Sequence, residues 1–84
     1  MWFVYIIRCQ DGSLYTGSTN DIEKRFKDHS EGRGARYTKS HKPVRIIYWE
    51  GFSTKSEALK REAELKKWTR TQKEALIKGS KSAS

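Results

Sequence analysis

The chain holds a single cysteine, Cys9, so no internal disulfide can staple the fold, and its place in an apolar run reads as a small buried thiol. There is one proline, Pro43, and no apolar run near the roughly 18–20 residues that cross a bilayer. The opening Met1-Trp2-Phe3-Val4-Tyr5 lacks the basic leader and small-residue cleavage site of a signal peptide, and a cytoplasmic location is expected. No HExxH, P-loop, GxGxxG or CxxC pattern occurs, and the two histidines, His29 and His41, lack metal-ligand spacing. Acidic residues are absent from the whole of 32–49, while Arg33, Arg36, Lys39, Lys42 and Arg45 recur there at every third position.

What is present is cationic and aromatic. Eighteen Lys and Arg against 10 Asp and Glu leave a net charge of +8 on 84 residues. That balance points to a polyanionic partner, nucleic acid first. The charge is uneven: residues 1–20 hold only Arg8 and Asp11 and sum to zero, so the excess lies beyond them. Three Trp, four Tyr and three Phe can fill one small core, which argues against a disordered polycation. The length allows one domain, placed at 1–78 with 79–84 as a disordered tail.

WFVYIIRC, residues 2–9, is apolar on both alternating faces and predicts a central strand. Asp11-Gly12 marks a turn into a second strand over 13–18, and the loop length sets the register. A two-residue loop puts Tyr15 and Tyr5 on opposite faces; a three-residue loop with Gly12 left-handed puts them on one face. Asn20 with Glu23 reads as a capping box for a helix over 21–30, ended by the glycines at 32 and 34. A loop follows to Pro43, then a third strand over 44–50. Thr54 with Glu57 caps a helix running to about residue 68, and Thr69 with Gln72 caps a last one. The fold class expected is α+β.

On the wheel of the second of these helices, Ala58, Leu59 and Leu65 mark the apolar face and Glu62 falls between them. A carboxylate turned inward needs a cation, a donor or water; a salt bridge to Lys66, one turn on, is the ordinary alternative to a functional role. Arg25 and His29 stack on one flank of the first helix, beside Ile22 and Phe26, and border the core. Two phenols, a guanidinium, an imidazole and one carboxylate form an odd set for a core and a sensible one for phosphodiester hydrolysis. The acid-free stretch adds phosphate-pairing cations at Arg33, Arg36, Lys39 and Lys42, with the Tyr37 ring to stack on a base and Gly32 and Gly34 letting the loop adapt.

FVYIIRC, LYTGSTNDIEKRFKDHSEGRGARYT and STKSEALKREAELKKW together resemble the GIY-YIG nuclease superfamily, in particular its small stand-alone bacterial members of the YhbQ-like type. The likeness spans residues 2–77. Tyr5 matches the first motif tyrosine, Tyr15 and Gly17 the second motif, Arg25 and His29 the helix residues, and Glu62 the metal-binding glutamate. The first motif reads Phe3-Val4-Tyr5 and the second Tyr15-Thr16-Gly17, and the asparagine many catalytic relatives carry beyond that glutamate has no counterpart, since the only asparagine is Asn20.

The resemblance implies a three-stranded antiparallel sheet flanked by helices. It also implies a metal-dependent endonuclease cutting DNA, of structured or branched form, with Mg²⁺ or Mn²⁺ on Glu62. Tyr5 or Tyr15 would be general base or water-positioning group, Arg25 would stabilise the transition state, and His29 would assist proton transfer. RNA is the alternative polyanion, and a non-catalytic nucleic-acid-binding module on the same fold is the alternative function. No small-molecule cofactor, no membrane and a monomeric state are expected. If the five side chains line one cleft, the hairpin loop must have three residues.

Overall fold

The computed structural model describes residues 1–79, so the tail expected at 79–84 lies, apart from Gly79, outside the described residues. Strand β1 (Trp2–Cys9) is central, because its apolar residues alternate onto two faces and need cover on both. It pairs antiparallel with β2 (Leu14–Thr19) on one side and with β3 (Pro43–Phe52) on the other, in the order β2-β1-β3.

The hairpin loop has three residues. Gly12 sits at φ 87° and donates its N–H to the Cys9 carbonyl at 2.9 Å, while the Cys9 N–H reaches the Ser13 carbonyl at 2.8 Å. The Asp11 carboxylate takes the Ser13 N–H at 3.0 Å and its hydroxyl at 2.6 Å, which holds the turn. Tyr5 is thereby paired with Gly17, and Tyr5, Ile7, Tyr15 and Gly17 share a face.

Helices α1 (Ile22–Ser30) and α2 (Arg36–Ser40) cover that face; Phe26 and Tyr37 pack on Tyr5, Ile7 and Cys9. Helices α3 (Lys55–Lys66) and α4 (Arg70–Gly79) cover the other, where Val4, Ala58 and Leu65 are fully buried with Trp68 and Leu76 against them. Among the described residues no helix is long and apolar enough to cross a membrane.

Several expectations change. The N-cap of α1 is Asp21, whose carboxylate accepts the Lys24 N–H, and not Asn20: an anionic side chain at the positive end of the helix is the stronger acceptor there. The expected loop between α1 and β3 contains α2, a single helical turn bonded back to Ala35. Pro43 opens β3 instead of closing the loop, which an edge strand tolerates because no ladder donor is required at its first residue. Leu59 is 46% exposed and leaves the apolar face of α3 to Ala58 and Leu65. The capping boxes at Thr54 and Thr69 are both formed.

Thr16 lies 3% exposed on β2, and its hydroxyl finds no partner among the described residues. A buried unpaired hydroxyl costs about 1–3 kcal/mol. Thr16→Val keeps the shape and the β-branch, so it is expected to stabilise the fold by about 1 kcal/mol, raising Tm by about 4–8 °C. Thermal unfolding followed by circular dichroism checks this, and an unchanged or lowered Tm would show that the hydroxyl is satisfied.

Candidate active site

The site is organised around an absent side chain. Gly17 lies on the edge strand beside Tyr5, and a Cβ placed on it would sit 2.5 Å from the Tyr5 oxygen, 2.7 Å from its Cζ and 3.1 Å from Tyr15 Cε2. Real Cβ atoms do not approach so closely, so glycine is what lets the Tyr5 phenol pass across β2. Its backbone is ordinary, since positive φ is confined to Gly12 and Gly32 among the described residues; the requirement is for space.

Past Gly17 the phenol meets α1. The Tyr5 oxygen is 2.9 Å from His29 Nε2, and His29 Nδ1 is 2.6 Å from Thr38 Oγ1. The Thr38 hydroxyl donates its one proton to the Ala35 carbonyl at 2.9 Å, so it must accept from Nδ1–H. That assigns the tautomer: Nε2 carries the lone pair and accepts from the Tyr5 hydroxyl. A single direction of donation therefore runs from Tyr5 through His29 and Thr38 to the backbone.

His29 is 1% exposed, deeper than the core border its helical spacing suggests. Its ring fits because residue 34 is glycine: a Cβ there would overlap Nδ1 and lie 2.7 Å from Cγ and 2.8 Å from Cε1. Gly34 thus serves close approach to the imidazole and not loop adaptability. The Tyr15 ring lies 5.2 Å from His29 and 6.5 Å from Tyr5, centroid to centroid, so both motif tyrosines and the histidine form one cluster.

Electrostatics follow from burial. Desolvation pushes the Tyr5 phenol up to about 12; the Arg25 guanidinium pulls against the rise, and the neighbouring Tyr15 and the Glu62 carboxylate add to it. Burial, and then Arg25, hold the His29 imidazole below its usual value, with Asp28 opposing. The histidine is a neutral acceptor at pH 7. Because its folded pKa is depressed, stability is whole above the unfolded value of about 6.5 and is lost as pH falls from there to the folded pKa, where the unfolded chain takes up a proton the native one refuses. The urea midpoint should therefore drop between pH 7.5 and 5.5, and the drop should shrink in His29→Gln. Equal midpoints for the parent at the two pH values would contradict this.

Glu62 approaches from the opposite face of the sheet. Its side chain is 17% exposed; Oε1 accepts the Ser18 hydroxyl at 2.6 Å and Oε2 pairs with Lys66 Nζ at 2.8 Å. Ser18 follows Gly17 on β2, so the edge strand carries the opening for Tyr5 on one face and the anchor for Glu62 on the other. The ordinary alternative, the Lys66 ion pair, is thus present, and the carboxylate also bears on Tyr5. Arg25 is half-buried and in no ion pair with a described residue, which leaves its charge for Tyr5 and for an incoming anion.

Among the described residues no three His, Cys, Asp or Glu gather as a metal site. One anchored carboxylate does fit a hard cation that takes its other ligands from water and a phosphate, as Mg²⁺ commonly does. Glu62 would hold it, in place of the half-exposed Lys66 ammonium.

The basic segment divides. Arg33 is paired with Glu31 at 2.5 Å and Asp28 at 3.5 Å, whereas Arg36, Lys39 and Lys42 are exposed and make no ion pair with described residues. Tyr37, the ring expected to stack on a base, is already stacked with Tyr15 at 5.8 Å and with His41 at 4.0 Å, centroid to centroid. Thr38, Ser18 and Gly34 are site residues the sequence reading missed. Only Gly34 carried a signal, as the second glycine of Gly-Arg-Gly after a helix end that Gly32 already serves.

These features define a GIY-YIG catalytic domain, whose family model matches residues 1–75, and the chain belongs to that family. Within it the chain is similar to UPF0213 proteins. It is 56% identical over 75 residues to UPF0213 protein SSP2268 of Staphylococcus saprophyticus, covering 89% of this chain and 92% of that one. It is 55% identical over 76 residues to a UPF0213 protein of Staphylococcus aureus strain Mu3, covering 90% and 93%. The solution structure of UPF0213 protein BH0048 from Bacillus halodurans aligns with TM-score 0.59 at 43% identity, over 93% of this chain and 84% of that one. Protein EF2693 from E. faecalis aligns with TM-score 0.61 at 45% identity, over 92% and 82%.

Proposed function

We propose that the protein is an endonuclease that hydrolyses phosphodiester bonds in DNA, with structured or branched forms as substrate and Mg²⁺ or Mn²⁺ as cofactor. The observation that carries this is the directed pair at Gly17: a tyrosine hydroxyl hydrogen-bonded to a neutral histidine, beside an arginine in no ion pair with a described residue, across one strand from an anchored carboxylate.

Tyr5 accepts a proton from the attacking water as its own passes to His29 Nε2. Thr38 holds the ring so that this nitrogen stays the acceptor. Arg25 stabilises the charge that accumulates on the phosphate oxygens. A divalent cation on Glu62, when bound, supplies neutralisation of the phosphate and assistance to the leaving oxygen. Arg36, Lys39 and Lys42 hold the strand electrostatically and read no base.

Incubation of linear, flapped and branched DNA with Mg²⁺ or Mn²⁺ tests the reading. Glu62→Gln and Arg25→Ala are each expected to reduce cleavage by about 10²–10³-fold. Unchanged cleavage in both variants would remove the assignment. A nucleic-acid-binding module without turnover is the second reading, favoured by the Lys66 ammonium seated on Glu62. It predicts salt-sensitive binding indifferent to divalent cations, with no nicked product.

A further inference from the structure

Behind His29, on the side away from Tyr5, lies a cavity of about 260 Å³. Thr38, which orients the imidazole, is in its wall, together with the hydroxyl residues Ser30 and Ser40 and the two lysines Lys39 and Lys42. No carboxylate lines it, and neither lysine is in an ion pair with a described residue. Drug-sized ligands occupy apolar pockets of about 300–1,000 Å³; this one is smaller and polar. Ammonium groups and hydroxyls without an anion among them suit a phosphate and its sugar.

We propose that this cavity is a second phosphate site, which holds a backbone phosphodiester of the strand close to the one at Tyr5 and Arg25. The inference rests on the nucleic-acid reading above, though not on turnover. A hydrogen bond, an imidazole ring and a second hydrogen bond separate the Tyr5 oxygen from the Thr38 oxygen, so the two sites share one histidine. A phosphate oxygen in the cavity can take the Thr38 proton that now goes to Ala35. Thr38 then still accepts from Nδ1–H, and Nε2 remains the acceptor for Tyr5. The strand and the imidazole thereby meet at one hydroxyl, and a phosphate bound there leaves the His29 tautomer as it is.

The test is nuclear magnetic resonance on the full ¹⁵N-labelled chain, titrated with inorganic phosphate and with a short unphosphorylated oligothymidylate in the absence of divalent cations. Both ligands are expected to shift the amides of Thr38, Lys39 and Lys42 and the ring nitrogens of His29. The double variant Lys39→Gln, Lys42→Gln should weaken oligonucleotide binding roughly tenfold, while the charge-matched Lys60→Gln, Lys67→Gln should change it by less than about threefold.

Equal losses in the two double variants would reduce the effect to net charge and overturn the site. A response to inorganic phosphate with none to the oligonucleotide would overturn the assignment to a strand. Failure of the catalytic reading is scored separately, by Glu62→Gln and Arg25→Ala in cleavage. A chain that fills this cavity and cuts nothing keeps the second phosphate site and loses the nuclease.

Discussion

Replacing Tyr5 by phenylalanine is expected to lower single-turnover DNA cleavage by about 10²–10⁴-fold, the range of general acid–base catalysis. The phenol sits near 12, so releasing its proton to water at pH 7 would cost roughly 7 kcal/mol. That cost is too high for Tyr5 to work as a pre-formed phenolate. Handing the proton to His29 Nε2 at 2.9 Å, as the water attacks, avoids the free phenolate.

Tyr5→Phe should therefore be far more damaging than Tyr15→Phe, whose hydroxyl makes no hydrogen bond with a described residue and whose ring remains to pack on His29. The fold should survive, with a loss of about 1–3 kcal/mol for the unpaired Nε2. A thermal melt run beside the cleavage assay separates the two effects. If Tyr15→Phe were the more damaging of the pair, the proton path would belong to the other tyrosine.

The strands and most of the caps were legible because they obey local rules. An apolar run on both faces must be central, Asp-Gly must turn, and Ser or Thr three residues before Glu or Gln must cap. The hairpin left two registers open, and the choice between them decided whether Tyr5 and Tyr15 could meet. Only the folded turn, with Gly12 left-handed, selects the register that pairs Tyr5 with Gly17.

What stayed hidden depends on contacts between residues distant in sequence. Thr38 looks like any polar residue in a basic segment, yet it is 3% exposed and assigns the tautomer of His29. Tyr37 reads as a stacking ring in a cationic loop, but its partners are Tyr15 and His41. Helical spacing put Glu62 inward correctly. It could not show that the carboxylate reaches β2 from the face opposite the tyrosines, held there by Ser18.

Gly34→Ala is expected to destabilise the protein by about 1–3 kcal/mol and to disable the site with it. The backbone at Gly34 is not in the left-handed region, so alanine would by itself stabilise the fold by about 0.4–1 kcal/mol through the unfolded chain. Any loss must then come from the overlap of its Cβ with the His29 ring, which is held between the Tyr5 oxygen and Thr38 and packed edge-on to Tyr15. The neighbouring glycine is the control: Gly32 has open space around it but φ 79°, so Gly32→Ala costs about 1–2 kcal/mol in backbone strain that no change at His29 relieves. A double-mutant cycle by urea unfolding separates the cases. In a His29→Ala background, Gly34→Ala should become neutral or stabilising, while Gly32→Ala should cost what it costs in the parent. If Gly34→Ala were equally harmful in both backgrounds, the glycine would be serving the loop and not the imidazole.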